Sequence, residues 1–337
     1  MSDRVLVTGV SGFLGGHITI QLLAAGYHVR GSVRDPAKAD KVRESLRAAG
    51  ANTDALEFVA LDLSSDAGWD TALADCRYLV HAASPVATQM PDDPQVMIGP
   101  ARAGTRRAVS SALRHGVERI VLTSSSQAIT DGQADGGRMF TADDWADATG
   151  DGISAYAASK TLAERAAWAL VDDAGQRDRL AVINPGAILG PMLANKDNAA
   201  ATLLVKMLDG SMPAAPRLYF PLVDVRDVAA LHVDALANPA AGGTRCIAAA
   251  QTLPLAELGR QLAAIYPQRP IPTRSLPNWL VRIAGRFDAD IKPVLPELGK
   301  PKRLDGAQAQ ARLGRPLMPV MEAAQDMIAS LEEFGLI

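Results

Sequence analysis

A doubly wound α/β fold, with a largely parallel sheet covered by helices and a smaller, mainly helical lobe after it, is what this sequence predicts. Three observations predict it. Short runs rich in Val, Ile and Leu alternate with longer amphipathic stretches from Arg4 to Asn184. Those runs are apolar at consecutive positions, so both faces of each strand are buried, as in parallel sheets sandwiched between helices. The first run leads through a glycine loop, Thr8-Gly9-Val10-Ser11-Gly12-Phe13-Leu14-Gly15, directly into a helical pattern.

The elements follow in order. Residues 4–8 (RVLVT) read as a buried strand, and 13–25 as a helix stopped by Gly26. Residues 27–33 are a second strand, followed by a charged helix over 36–49. Residues 56–61 and 78–82 are the third and fourth strands, and 94–115 is a long helix stopped by Gly116. Residues 118–123 (ERIVLT) form the fifth strand, 154–171 a helix and 180–184 the sixth strand. Beyond Pro185 the rhythm loosens and Pro and Gly become frequent, a signature of loops and short connections. A strand and a helix return at 218–223 and 224–237, and the chain from Pro254 onward is mainly helical. The expected organisation is therefore a nucleotide-binding lobe, residues 1–185 with 218–248 returning to it. Residues 186–217 and 249–337 form the substrate lobe.

Composition excludes several classes. Of 337 residues, 48% are hydrophobic and 21% charged, which suits a folded chain with a large core rather than a disordered one. The formal net charge of −3 supplies no global field for nucleic acid or anionic lipid. Two distant cysteines, Cys76 and Cys246, and five isolated histidines offer no metal-ligand spacing and no disulfide framework. The cysteines read as small buried apolar residues. The start, Met-Ser-Asp-Arg, leads straight into an apolar run without a signal pattern, and no long charge-free apolar segment follows. A soluble cytoplasmic protein with a small-molecule substrate, and no nucleic-acid or membrane partner, is the expectation.

The glycine loop carries the first chemistry. Its three glycines permit a tight turn, close backbone approach to a pyrophosphate and tight helix–strand packing, and the helix N-terminus presents free N–H groups to the phosphates. A Rossmann-type dinucleotide-binding lobe follows from that context. About 20 residues beyond such a loop, an acidic residue usually holds the ribose hydroxyls of NAD, whereas Arg accommodates the extra phosphate of NADP. Asp35 satisfies the first rule and Arg34 the second, so spacing leaves both open. After the fourth strand, Ala82-Ala83-Ser84-Pro85 is small enough for close cofactor approach.

The second chemistry is Tyr156-Ala157-Ala158-Ser159-Lys160 at a predicted helix start. Positions i and i+4 share a helix face. A phenol, with an ordinary pKa near ~10, donates a proton to a carbonyl more readily when a nearby ammonium stabilises the phenolate left behind. The fifth strand ends Thr123-Ser124-Ser125-Ser126-Gln127, where a hydroxyl can support the charge developing on a carbonyl oxygen. Three serines leave the choice open between Ser125 and Ser124.

Together, Gly-x-x-Gly-x-x-Gly and Tyr-x-x-x-Lys resemble the extended short-chain dehydrogenase/reductases. Val-Asp-Val-Arg-Asp-Val-Ala at 223–229 resembles a hallmark segment of the same extended branch, the strand end Val-Leu-Thr-Ser-Ser matches the family's pattern, and Val-Arg-Asp-Pro resembles the dihydroflavonol reductases. Over nearly the whole chain the resemblance fits best the dihydroflavonol reductase-like aldehyde and carbonyl reductases. The resemblance implies catalytic Ser125, Tyr156 and Lys160. It implies NADP(H) in preference to NAD(H), with the 2′-phosphate on Arg34 and Lys41 and the adenine edge at Asp62 and Leu63. It further implies cofactor contacts at Thr8, Gly9, Gly12, Phe13, Leu14, Gly15, Ala82, Ala83, Ser84, Thr123 and Pro185. Pro85, Gln127, Met192 and Leu193 are expected at the substrate rim, a mainly apolar set that suits a hydrophobic aldehyde or ketone. Two alternatives remain: a sugar-nucleotide epimerase or dehydratase with tightly held NAD, and a non-catalytic NADP sensor. The Arg-x-x-Asn and Thr-Asp-Glu signatures of the former are missing here. Thr130 stands where plant dihydroflavonol reductases carry Asn or Asp, which argues against a flavonoid substrate. Helices 94–115 and 154–171 correspond to the family's dimer surface, so a monomer or homodimer is expected.

Overall fold

The computed structural model describes residues 3–84, 93–133, 137–150, 152–196, 198–286 and 292–337. Its strands are β1 (Arg4–Thr8), β2 (His28–Val33), β3 (Leu56–Ala60), β4 (Tyr78–His81), β5 (Arg119–Thr123), β6 (Met139–Phe140), β7 (Leu180–Pro185), β8 (Ala187–Leu189), β9 (Tyr219–Asp224), β10 (Arg245–Ala248), β11 (Gln251–Pro254) and β12 (Arg303–Leu304). The helices are α1 (Phe13–Ala24), α2 (Ala39–Ala48), α3 (Trp69–Leu73), α4 (Gln95–Arg114), α5 (Gln127–Thr130) and α6 (Ala155–Asp173). They continue as α7 (Ala199–Leu208), α8 (Val225–Ala237), α9 (Leu255–Ile265), α10 (Asn278–Ala284), α11 (Ala307–Leu313) and α12 (Val320–Glu333).

Seven parallel strands form the central sheet in the order β10-β7-β5-β4-β1-β2-β3. The alternation of the strand residues explains the two layers of helices. Val5 and Val7 of β1 face one side and pack with Ile18 and Leu22 of α1 and with Val228 and Leu231 of α8. Leu6 faces the other side, in the core that holds Ala108 and Val109 of α4 and Trp168 and Val171 of α6. Period-two alternation with both faces apolar is what a doubly covered sheet requires. From β1 the chain first builds outward through β2 and β3, then crosses back to β4 on the other side. That reversal opens a crevice at the carboxyl ends of β1 and β4, where Thr8 stands opposite His81.

The second lobe has its own core. Leu204 and Met207 of α7, Leu258 and Leu262 of α9, and Met327, Ile328 and Leu331 of α12 pack together with Leu189, Leu222 and Leu253. The last three come from a three-stranded sheet, β11-β9-β8. β9 lies between β8 and β11 and serves both cores, with Val223 in the first and Leu222 in the second, while α8 and β10 return to the central sheet. Gly186 makes this possible. A Cβ at that position would stand 2.3 Å from the Pro221 carbonyl oxygen, so only glycine lets the end of β7 pass so close to β9.

Candidate active site

The glycine loop closes tightly. The Gly12 N–H donates to the Gly9 carbonyl at 2.8 Å, and the Gly16 N–H donates to the Gly12 carbonyl at 3.0 Å. Gly9 has φ +77°, and a Cβ there would meet the Ala83 backbone at 3.0 Å; one on Gly15 would lie 2.0 Å from the Gly9 carbonyl oxygen. The first turn of α1 has no acidic residue and no side-chain cap, so its N–H groups are free for an anion. This cradle fits a dinucleotide pyrophosphate.

Thr8 supports the loop from beneath. Its buried Oγ1 lies 2.8 Å from Nδ1 of His81 and accepts from the Ala83 N–H at 3.2 Å, tying the ends of β1 and β4. Burial, reinforced by Lys160, pushes the His81 imidazole down to about 3. Burial likewise lowers His232 to about 4. His232 Nδ1 donates to the Val228 carbonyl at 2.8 Å, so Nε2 accepts from Thr123 Oγ1 at 2.7 Å. Both histidines are neutral in the fold, whereas the unfolded chain binds protons below an ordinary value of 6.5. Stability therefore falls as pH drops from about 6.5 toward 4, by up to about 1.4 kcal/mol per pH unit for each group. Urea unfolding across that window should show the decline, and His232→Gln should flatten it; an unchanged slope in the variant would contradict the assignment.

A cleft of about 710 Å³ runs over the carboxyl ends of the strands. It gathers Gly9, Gly12, Phe13, Leu14, Gly15, Arg34, Asp62, Leu63, Ala82, Ala83, Ser84, Tyr156 and Lys160. Ser11, Ser32, Val33 and Pro100 also line it, and the sequence reading had not singled them out. Ser11 sits inside the glycine motif and could have been found there; Pro100, inside α4, carries no local signal. Arg34 and Asp35, both left open by spacing, differ in placement. Asp35 accepts from the Ala37 N–H at 3.0 Å at the start of a 3-10 turn and does not line the cleft, whereas Arg34 does. Asp62 accepts from the N–H and hydroxyl of Ser64 at 2.8 and 2.7 Å, which holds its carboxyl below the usual range. Lys41 is exposed on α2 and does not line the cleft.

The residues expected to react lie on α6 and just after β5. Ser154 caps α6, its Oγ accepting from the Ala157 N–H at 3.0 Å, and this fixes Tyr156 and Lys160 in the first turns. Lys160 is 8% exposed, with Nζ 5.8 Å from the centre of the Tyr156 ring. At the end of β5 the serines differ. Ser124 donates its hydroxyl to Glu164 Oε2 at 2.5 Å, while Ser125 Oγ only accepts from the Gln127 N–H at 3.2 Å. Of the two, Ser125 keeps its own proton available.

Glu164 is a residue that the sequence reading missed. Its carboxylate also accepts from Asn184 Nδ2 at 2.9 Å, from Trp168 Nε1 at 3.3 Å and from Arg245 Nε at 2.6 Å. Asn184 Nδ2 in turn reaches the Ser125 carbonyl at 3.2 Å. Standing four residues after Lys160, Glu164 had a helical-spacing signal, but an acid on a helix reads as solvated surface until β10 brings Arg245 against it.

Other rim and cofactor positions fall elsewhere. Ser125, Thr123 and Pro185 stand at the ends of β5 and β7 and do not line the cleft; Gln127 is half-buried at the start of α5. Met192 and Leu193, expected at the rim, do not line the main cleft. They line a separate small cavity with Val10, Phe13, Gly16 and Leu46. Gly190, at φ +128°, turns the chain beneath α1, and His17 Nε2 donates to the Pro191 carbonyl at 2.8 Å, holding the segment there. Pro85 lies outside the described residues. Among the described residues no cluster of potential metal ligands occurs and no helix is long and apolar enough to cross a membrane. Burial raises the thiols of Cys76 and Cys246 to about 11, as expected of small core residues.

The model of the family described as "NAD dependent epimerase/dehydratase family" matches residues 5–248, more than half of the chain. The chain belongs to that family. An uncharacterised oxidoreductase of Schizosaccharomyces pombe is 36% identical over 282 residues, covering 79% of this chain and 83% of the relative. Cinnamoyl-CoA reductase 1 of Petunia hybrida is 31% identical, covering 98% of this chain and 92% of the relative. Among solved structures, yeast methylglyoxal/isovaleraldehyde reductase Gre2 complexed with NADPH superposes with a TM-score of 0.80 at 26% identity, covering 99% of this chain and 100% of that one. This family member is an oxidoreductase, and it stands among the extended short-chain reductases.

Proposed function

We propose that this family member is an NADPH-dependent reductase of hydrophobic aldehydes or ketones that works through Ser125, Tyr156 and Lys160. The observation that carries the reading is the shared cleft: Tyr156 and Lys160, one helical turn apart, line the same cavity as the glycine loop and Arg34. Relatives named as cinnamoyl-CoA and methylglyoxal/isovaleraldehyde reductases, the latter complexed with NADPH, support the carbonyl class and the cofactor.

The phosphates of the dinucleotide fit the Gly9–Gly15 loop and the free N–H groups of α1, and Arg34 suits a 2′-phosphate. When bound, the reduced nicotinamide supplies the hydride for the carbonyl carbon. Tyr156 donates its hydroxyl proton to the carbonyl oxygen as negative charge develops there. Lys160 stabilises the phenolate that remains, and its burial keeps competing water away from that charge. Ser125 donates a hydrogen bond to the same oxygen, a role open to it because its hydroxyl is not given to Glu164.

Cofactor oxidation followed by absorbance, with NADPH and NADH in parallel against aromatic and aliphatic aldehydes, ketones and diketones, tests the reading. Turnover that prefers NADPH is the expected result. Silence with both cofactors, together with NAD released on denaturing the purified protein, would favour the epimerase alternative. Arg34→Ser is expected to raise KM for NADPH about tenfold or more and to leave KM for NADH nearly unchanged. Equal effects on both cofactors would remove Arg34 from phosphate recognition.

A further inference from the structure

A second cation approaches the glycine loop from the other lobe. Lys196 stands between β8 and α7, and its Nζ donates to the Ser11 carbonyl at 2.7 Å. Ser11 borders two spaces. On one side it lines the main cleft together with Arg34. On the other it lines a cavity of about 90 Å³ with Val42, Ser45 and Lys196. The approach of Lys196 is anchored, because the chain just before it is fixed by the Pro191 bond to His17 and by the Met192 N–H, which donates to Ser330 Oγ at 3.0 Å.

The charged neighbours that act on Lys196 are both cations. Partial burial, then the nearby Lys41 and Lys38, lower the Lys196 ammonium from its usual range. Lys196 is bonded to Ser11, Arg34 shares the main cleft with Ser11, and Lys38 and Lys41 lie within electrostatic reach of Lys196. Asp62 lines the cleft on the Arg34 side, and Asp35 and Asp40 share the stretch of chain that carries the lysines. Asp35 spends a carboxylate oxygen on the Ala37 N–H. Lys196 itself is satisfied by a neutral carbonyl, and an ammonium has three donors, so two remain for another acceptor. Cations near a backbone turn suit a phosphomonoester dianion. NADP and NAD differ by one such group, on the adenosine ribose, whereas the pyrophosphate common to both is served by the α1 N-terminus.

We propose that Lys196 is a cofactor-specificity residue, donating from the second lobe to the 2′-phosphate of NADP. This rests on the NADP(H) reading above. Lys196 keeps its bond to Ser11 while a second N–H reaches a phosphate oxygen. Recognition of the phosphate is then shared between the lobes: Arg34 from the first, Lys196 from the second, with Lys41 adding only to the local positive field.

Titration calorimetry on the full chain, with 2′,5′-ADP and 5′-AMP as probes and with NADP⁺ and NAD⁺ alongside, tests the assignment without turnover. Lys196→Met is expected to weaken 2′,5′-ADP and NADP⁺ about tenfold, the scale of one charge-assisted hydrogen bond, and to leave 5′-AMP and NAD⁺ nearly unchanged. Lys196→Arg should recover most of the loss. The side chain is exposed, so the melting temperature should stay that of the parent. Equal weakening of all four ligands would make Lys196 only a strap on the glycine loop and overturn the proposal. Unchanged affinities in Lys196→Met, beside a parent that still prefers 2′,5′-ADP, would overturn it and leave the NADP(H) reading intact. A parent that binds 2′,5′-ADP no better than 5′-AMP would overturn both.

Discussion

Tyr156→Phe is expected to lower carbonyl reduction by about 10²- to 10⁴-fold, the usual contribution of a positioned general acid. The substitution removes one oxygen and keeps the ring, so the packing of the first turn of α6 and the approach of Lys160 to the ring face are preserved. The glycine loop and Arg34 are untouched, and cofactor affinity should stay close to that of the parent. The pair of measurements is single-turnover reduction and fluorescence titration with NADPH. A rate near the parent's would take Tyr156 out of the chemistry. Loss of NADPH binding in step with the rate would make it a cofactor anchor rather than an acid. Ser125→Ala should show a smaller loss with the same unchanged binding, because a hydrogen-bond donor supports the oxygen but does not protonate it.

The largest effect on stability is expected at Glu164. The carboxylate and its partner Arg245 are almost completely enclosed, with side chains 1% and 7% exposed. Removing one member of such a pair leaves the other charge buried without compensation, a loss of about 3–5 kcal/mol. Arg245 has further ties: its NH1 donates to the Ala142 carbonyl at 2.7 Å, and its guanidinium lies 3.9 Å from the centre of the Trp145 ring. Glu164→Ala would therefore strand a cation among carbonyls that cannot neutralise it, and would free Ser124 and Asn184 as well. Against a typical total of about 5–15 kcal/mol this is a large fraction. Thermal unfolding should drop by on the order of 10 °C. Replacing both partners, Glu164→Leu with Arg245→Met, should recover part of the loss, because an apolar pair has no desolvation cost to offset. A single variant as stable as the parent would show that water reaches Arg245 and that the pair contributes little.

The two residues also mark what was legible in the sequence. Tyr156 and Lys160 sit four apart after a cap residue, and their shared helix face follows from spacing alone. The glycine loop was legible for the same reason: each glycine meets a local backbone requirement within seven residues, Gly9 to Gly15. The strands and helices of the central sheet likewise follow local periodicity, and their bounds here differ from expectation by a residue or two, for example β2 at His28–Val33 and α4 at Gln95–Arg114. The partners of Glu164, the pairing of β9 and the place of Met192 were not legible. Each is decided by a partner far along the chain: Arg245 for Glu164, β8 and β11 for β9, and Ser330 for Met192.

By itself the sequence determined a doubly wound nucleotide-binding sheet, its phosphate loop and a tyrosine–lysine pair, because hydrophobic period, glycine conformation and helical spacing are all local properties. Only the tertiary structure decided which of two adjacent charged residues faces the cleft, which of two serines keeps its hydroxyl proton, and where the segment after β8 runs. Those choices depend on caps, on a buried carboxylate and on the packing of a second core, and contacts between distant stretches of chain leave no period to read.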